Sequence, residues 1–293
     1  MFTMQLKFIV AILCIVCLLS CTKSANDKNK ENYDSKTNNV FSNEYIDTNI
    51  IKDIDQDIID EISKKVANMN FIYELPNIFA AWETGNYVEL PDCPKADTKV
   101  LIEIYDMFLN DAPLTFQTYP MIIKFMEQMI EVGEPQMKVS ATALMGLASE
   151  QLYYYEDAIK YYVNTTNFVI PEDFVNYDGM KEFKITCLIS AASLYASLYN
   201  EEEVLKFEKI ILDDNDENQI SNYYMYLSTM YILSHQFEKI DEMIKDGKIE
   251  QSEQLQRRIR TQKALPPPTK NESFYDDQRE ELERSGTILR IFG

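Results

Sequence analysis

The stretch Tyr153–Tyr162 reads YYYEDAIKYY, five tyrosines in ten residues around a single small residue, Ala158. Such a cluster is either an aromatic patch for catalysis or sugar binding, or packing between helices. Composition sets the frame for choosing. The chain has 293 residues, enough for one or two sizeable cores. Hydrophobic residues make up 46% and aromatics 12%, a folded protein's content, despite a formal net charge of −20. Only 7 glycines and 10 prolines occur, sparse for a turn-rich β protein or a glycine-loop enzyme. Long runs of Lys, Glu, Ile, Met, Leu and Tyr without breakers favour helices. The expected class is all-α.

A period surrounds the tyrosines. Met145-Gly146, Ala158 and Tyr162 fall where the tetratricopeptide pattern has its Leu-Gly, its small residue and its following aromatic. Tyr155–Tyr162 resembles the start of that family's second helix, whereas Thr142 and Ser149 replace its Trp and Tyr. A later unit is similar in its first helix: Tyr224-x2-Leu227-Ser228-x2-Tyr231, with Phe237, Ile240 and Ile244 at the matching offsets. Between the two, a weaker unit puts Ala192 at the glycine position, Tyr195 at the tyrosine and Val204 at the alanine, with Phe207 one residue early. From Ala158 to Val204 to Ile240 the steps are 46 and 36 residues, against about 34 in the family. Residues 169–180 take up the excess.

The resemblance implies a helical-hairpin solenoid over residues 136–265, ending in a capping helix. Units of this kind stack because none can bury its apolar face alone. Gly146, Ala158 and Ala192 are then close helix crossings. Tyr155, Tyr162, Tyr195, Leu227, Tyr231 and Ile240 are packing positions. Tyr153, Tyr154 and Tyr161 lie outside the pattern: they are half-buried neighbours, or they face the concave groove in which such arrays bind peptides.

Upstream, residues 46–135 read as a helical region. Ile51, Ile54, Ile58, Ile62 and Val66 recur at three- and four-residue steps. A second pattern runs from Phe71 to about Trp82, the proline-containing connector 86–97 follows, and helices read at about 98–110 and 116–132. Asp53-x-Asp55-x-Asp57 lacks the glycine and closing glutamate of a calcium loop, so these acids belong to a wet helix face. Downstream, Pro266-Pro267-Pro268 predicts an extended tail over 266–293. Its apolar end, residues 286–293, either folds back or serves as an exposed docking peptide.

The N-terminus reads as an address. Lys7 precedes an apolar run from Phe8 to Leu19, too short to span a bilayer. Leu18-Leu19-Ser20-Cys21 resembles the lipobox of bacterial lipoproteins. That likeness implies removal of residues 1–20, acylation of Cys21 (palmitate among its chains) and anchoring in the cell envelope. Residues 21–45, low in apolar side chains, form a flexible tether. Thr22, not Asp, follows the cysteine, which favours the outer membrane. Cys14 and Cys17 fall in the removed segment. Of the remaining cysteines Cys93 and Cys187 are expected as two separate buried thiols.

No catalytic constellation is legible. His235 is the sole histidine and sits in a turn; no nucleotide loop or nucleophile elbow occurs. No catalytic residue, metal site or cofactor is expected. All six arginines lie after residue 256, so the negative charge belongs to the first 250 residues and disfavours nucleic acid. The expected function is a membrane-anchored scaffold for protein–protein interaction at the bacterial envelope. Tyr153, Tyr154, Lys160, Tyr161 and Tyr224 are the candidate groove residues. The alternative is a lipoprotein that captures a small ligand or glycan in an aromatic-rich groove.

Overall fold

A computed structural model of the chain describes residues 56–213, 216–267 and 273–292. The expected signal segment, Cys21, the tether and residues 46–55 lie outside the described residues. The described chain is all-α apart from one two-residue strand pair. It has α1 Gln56–Glu83, α2 Thr98–Asn110, α3 Tyr119–Val132, α4 Pro135–Gln151, α5 Tyr155–Asn164, α6 Tyr177–Ser197, α7 Glu201–Asp213, α8 Glu217–Leu233, α9 Phe237–Lys245, α10 Glu253–Lys263 and α11 Ser273–Ser285. Local chemistry sets several of the starts. Asp97, Asp216 and Ser252 accept hydrogen bonds from the N–H groups of Val100, Gln219 and Leu255 at 3.0, 2.9 and 3.1 Å, capping α2, α8 and α10. Prolines open the first turns of α3 and α4, where the missing N–H would lack a partner anyway.

The two helical patterns read upstream of residue 83 form one helix. Pro76 sits inside α1 on its exposed side and costs the helix one hydrogen bond without ending it. The helix uses one face to build the first core. Phe71, Leu75, Phe79 and Trp82 are buried. Phe71 and Phe108 both stack on Phe125, at 5.6 and 4.7 Å, and Phe79 meets Phe108 edge-on at 5.2 Å. Trp82 is fully buried and donates its indole N–H to Val88 O at 2.7 Å. By contrast Ile62 and Val66 are 57% and 51% exposed, so the upstream apolar stripe does not join this core.

From α4 onward the helices come in hairpins: α4–α5, α6–α7 and α8–α9. Each second helix also packs on the first helix of the next pair, and α6 lies along α8. All three hairpins turn in the same way. Tyr153, Tyr199 and His235 hold φ of 61°, 59° and 59°. In each turn the following residue donates its N–H to a carbonyl five positions back: Tyr154 to Ser149, Asn200 to Tyr195, and Gln236 to Tyr231. This is a Schellman stop with a non-glycine residue in the left-handed position. Counted from those residues, Gly146, Ala192 and Ser228 share one position, and Ala158, Val204 and Ile240 share another. Ala158, Ala192 and Ile240 are all fully buried.

The C-terminal segment corrects the sequence reading. Residues 266–293 were expected to form an extended tail, with folding back left open only for its apolar end, 286–293. Instead α11 returns to the body, and Leu289–Arg290 pairs antiparallel with Pro113–Leu114, the only strand pair among the described residues. Phe292 donates its N–H to Leu109 O at 3.0 Å. Ile291 is fully buried, and Leu282, Leu289 and Phe292 pack against the first core. The physical reason is that the apolar end has a seat, which local composition could not reveal.

One carboxyl in α2 is poorly accommodated. Asp106 has a buried oxygen without a hydrogen-bond partner. Burial, with the Glu103 charge adding to it, raises its pKa from 3.8 to about 6. A carboxyl raised on folding stabilises the fold below its unfolded pKa and loses that contribution as pH rises through about 6. Asp106→Asn is therefore expected to flatten the stability profile between about pH 4 and 6 and to stabilise the protein at pH 7 by about 1 kcal/mol, after discounting for solvent screening. Urea midpoints across that range test it; an unchanged slope would contradict the assignment.

Candidate functional site

The five groove candidates do not form one patch. Tyr224 stands apart in the crevice between α7, α8 and α9. It is buried, donates its hydroxyl to Glu208 at 3.1 Å, and carries the Lys248 ammonium 5.2 Å above its ring. Lys248 also pairs with Glu208 at 2.9 Å, so the chain's own lysine fills that crevice. Tyr161 is half-buried on α5, with the exposed Lys160 ammonium 6.0 Å from its ring. Tyr153 and Tyr154 do come together, at the turn between α4 and α5.

That turn is where aromatic side chains concentrate. The left-handed backbone of Tyr153 costs about 1–2 kcal/mol for a residue with a Cβ, and it aims the ring at Tyr155, 6.0 Å away. Tyr154 stacks on Tyr119 at 5.1 Å and meets Phe116 edge-on at 6.2 Å. The equivalent residues of the other hairpins also face neighbours. The Tyr199 hydroxyl donates to Ser234 O at 2.5 Å, and the His235 ring lies 5.2 Å from Phe237.

The tail helix completes the site. Tyr275 packs on Tyr155 with ring centroids 4.5 Å apart and donates its hydroxyl to Ser197 O at 2.8 Å. Arg279 lies 5.1 Å over the Tyr154 ring and pairs with Asp276. Between α11 and the first hairpin turn remains a cleft of about 250 Å³, whose walls include Tyr153, Tyr155 and Tyr275, with Glu156 and Asp157 from the first turn of α5. A second cleft, of about 350 Å³, lies farther along α11 beside Trp82, Phe116 and Leu282. Burial raises the pKa of Tyr154, Tyr155 and Tyr275, with Arg279 opposing the shift at Tyr154. These hydroxyls therefore stay neutral at physiological pH.

The packing positions are placed as follows. Tyr162 is buried against Gly146, and its hydroxyl donates to the Glu150 carboxylate at 2.7 Å. Tyr155 and Tyr195 are half-buried; Tyr195 stacks on Phe207 at 5.8 Å. Leu227 and Tyr231 are buried in the second core. Sequence reasoning missed Tyr275, Asp276 and Arg279, because three prolines mark the segment as extended. The available signal was weak: Tyr275 and Leu282 are seven positions apart, with Arg279 between them on one helical face.

Cys93 and Cys187 are separate buried thiols, each pushed up to about 12 by burial. Among the described residues no group of three or more His, Cys, Asp or Glu is placed to hold a metal ion. No described helix is long and apolar enough to cross a membrane. Comparison with family models, with curated proteins and with solved structures returns no match for this chain.

Proposed function

We propose that the protein is a lipid-anchored scaffold of the bacterial envelope, whose tetratricopeptide-like array binds a protein partner, with the outer membrane favoured as its site. The observation that carries this reading is the recurrence of one hairpin turn at Tyr153, Tyr199 and His235, with small or apolar residues at matching offsets on both sides. Stacked hairpins present a long, stiff surface at little conformational cost, which suits recognition of an extended or helical segment. An anchor at Cys21 would supply membrane attachment without a basic patch, at about 0.8 kcal/mol per buried methylene.

The anchor and the partner are tested separately. Cys21→Ala is expected to move the protein from the detergent-rich to the aqueous phase, and mass spectrometry should find acyl chains on the mature N-terminus. Aqueous partition of the wild-type chain would end the lipoprotein reading. Crosslinking in cells with the full chain should recover one envelope protein stoichiometrically; none recovered would end the scaffold reading. A second reading, capture of a small ligand or glycan, is favoured by one feature alone, the tyrosine-walled cleft of about 250 Å³.

A further inference from the structure

The cleft at the first hairpin turn has a chemistry of its own. Tyr153, Tyr155 and Tyr275 form a row of rings with centroid spacings of 6.0 and 4.5 Å. Glu156 and Asp157 stand exposed at its edge, and neither forms an ion pair among the described residues. Asp276 faces the same space but is already paired with Arg279. Ring faces attract cations through their quadrupole, and carboxylates add direct attraction.

The chain itself uses this combination twice. Arg279 lies over Tyr154 with Asp276 beside it, and Lys248 lies over Tyr224 with Glu208 beside it. In both places an internal cation fills the seat. Arg279 also lines the cleft, but it is held over Tyr154 and paired with Asp276; among the described residues no cation lies over Tyr153 or Tyr155 or pairs with Glu156 or Asp157. We infer that this cleft receives a lysine side chain from the protein partner, its four-carbon stem against the tyrosine rings and its ammonium between Glu156 and Asp157. A lysine stem buries apolar length while its head keeps polar partners. The inference rests on the scaffold reading above and specifies the chemistry of the partner.

Because the whole chain carries a charge of −20, basic peptides will be drawn to it nonspecifically. Position must therefore be the variable. Glu238 supplies the comparison: it stands three residues after His235, as Glu156 stands three after Tyr153, but in a turn without the tyrosine row. The experiment is calorimetric titration of the full chain with a synthetic pentalysine peptide at fixed, near-physiological salt. Tyr153→Asn, which tolerates the left-handed backbone, and the Glu156→Gln/Asp157→Asn double variant are each expected to weaken binding about tenfold. Glu238→Gln should leave it within about twofold.

Equal losses from all variants, or no binding by the wild-type chain, would overturn the inference. Spermidine is the second arm. If it binds as tightly as the peptide and with the same variant dependence, the occupant is a free polyamine and the partner reading of the cleft falls. The two proposals fail separately. A crosslinked partner retained undiminished by Tyr153→Asn sinks the cleft and leaves the scaffold, whereas recovery of no partner sinks the scaffold whatever the titration gives.

Discussion

Replacing Gly146 with leucine is expected to destabilise the protein by about 3 kcal/mol, and replacing it with alanine by about 1–2 kcal/mol. A Cβ at this position would lie 2.7 Å from two ring carbons of Tyr162. The ring has no room to retreat, since Tyr162 is 1% exposed and its hydroxyl is tied to Glu150 at 2.7 Å. Two effects oppose each other in the alanine variant. Removing glycine from the middle of α4 gains about 1 kcal/mol of helix propensity. Overpacking against a ring that cannot move costs about 2–3 kcal/mol, the upper part of the usual range, and wins.

The sign depends on the ring, which makes the argument testable by a double-mutant cycle. Tyr162→Ala alone should cost about 3–5 kcal/mol through the cavity it leaves. In that background Gly146→Ala should become stabilising by about 1 kcal/mol, because only the propensity term survives. Urea unfolding of the four proteins supplies the cycle. If alanine destabilises equally in both backgrounds, Tyr162 is not what requires the glycine.

Deleting residues 266–293 is expected to cost on the order of 5 kcal/mol. Ile291, fully buried, accounts for about 2–3 kcal/mol by transfer alone. The remainder comes from the half-buried Tyr275, Leu282, Leu289 and Phe292 and from the lost strand pair with Pro113–Leu114. Native domains hold only about 5–15 kcal/mol in total, so the truncated chain should be barely folded at 37 °C. Thermal unfolding monitored by circular dichroism checks this, with a fall in midpoint of about 10 °C or more. A midpoint unchanged by the deletion would mean that the segment is not seated on the body. The single variant Ile291→Asp should reproduce much of the loss, because it buries a carboxylate without a partner.

The helical class was legible in the sequence, and so were the helix at 98–110 and the one read at 116–132, which starts three residues later at Tyr119, because breakers and apolar spacing act within a turn or two of the backbone. The pattern read from Phe71 to Trp82 already ran across Pro76, and α1 does continue through it, with the proline on the helix's exposed side. The candidate site was legible only in part. Local spacing drew attention to Tyr153 and Tyr154, but the sequence could not separate them from Tyr224, whose ring is occupied by Lys248 from the next turn of chain.

What the sequence by itself determined was therefore the helical class, the close approach at Gly146, and the concentration of tyrosines at one turn. Each of these depends on residues near one another along the chain. The tertiary structure alone decided that the C-terminal segment is part of the body, and that Tyr275, Asp276 and Arg279 meet Tyr154 and Tyr155 across more than a hundred residues. Three prolines and a charged run read locally as extended chain. The contribution that overrides them is the burial of Ile291 and its neighbours in a seat built by Leu109, Pro113 and Leu114, and a burial partner that distant leaves no periodic mark on the segment it captures.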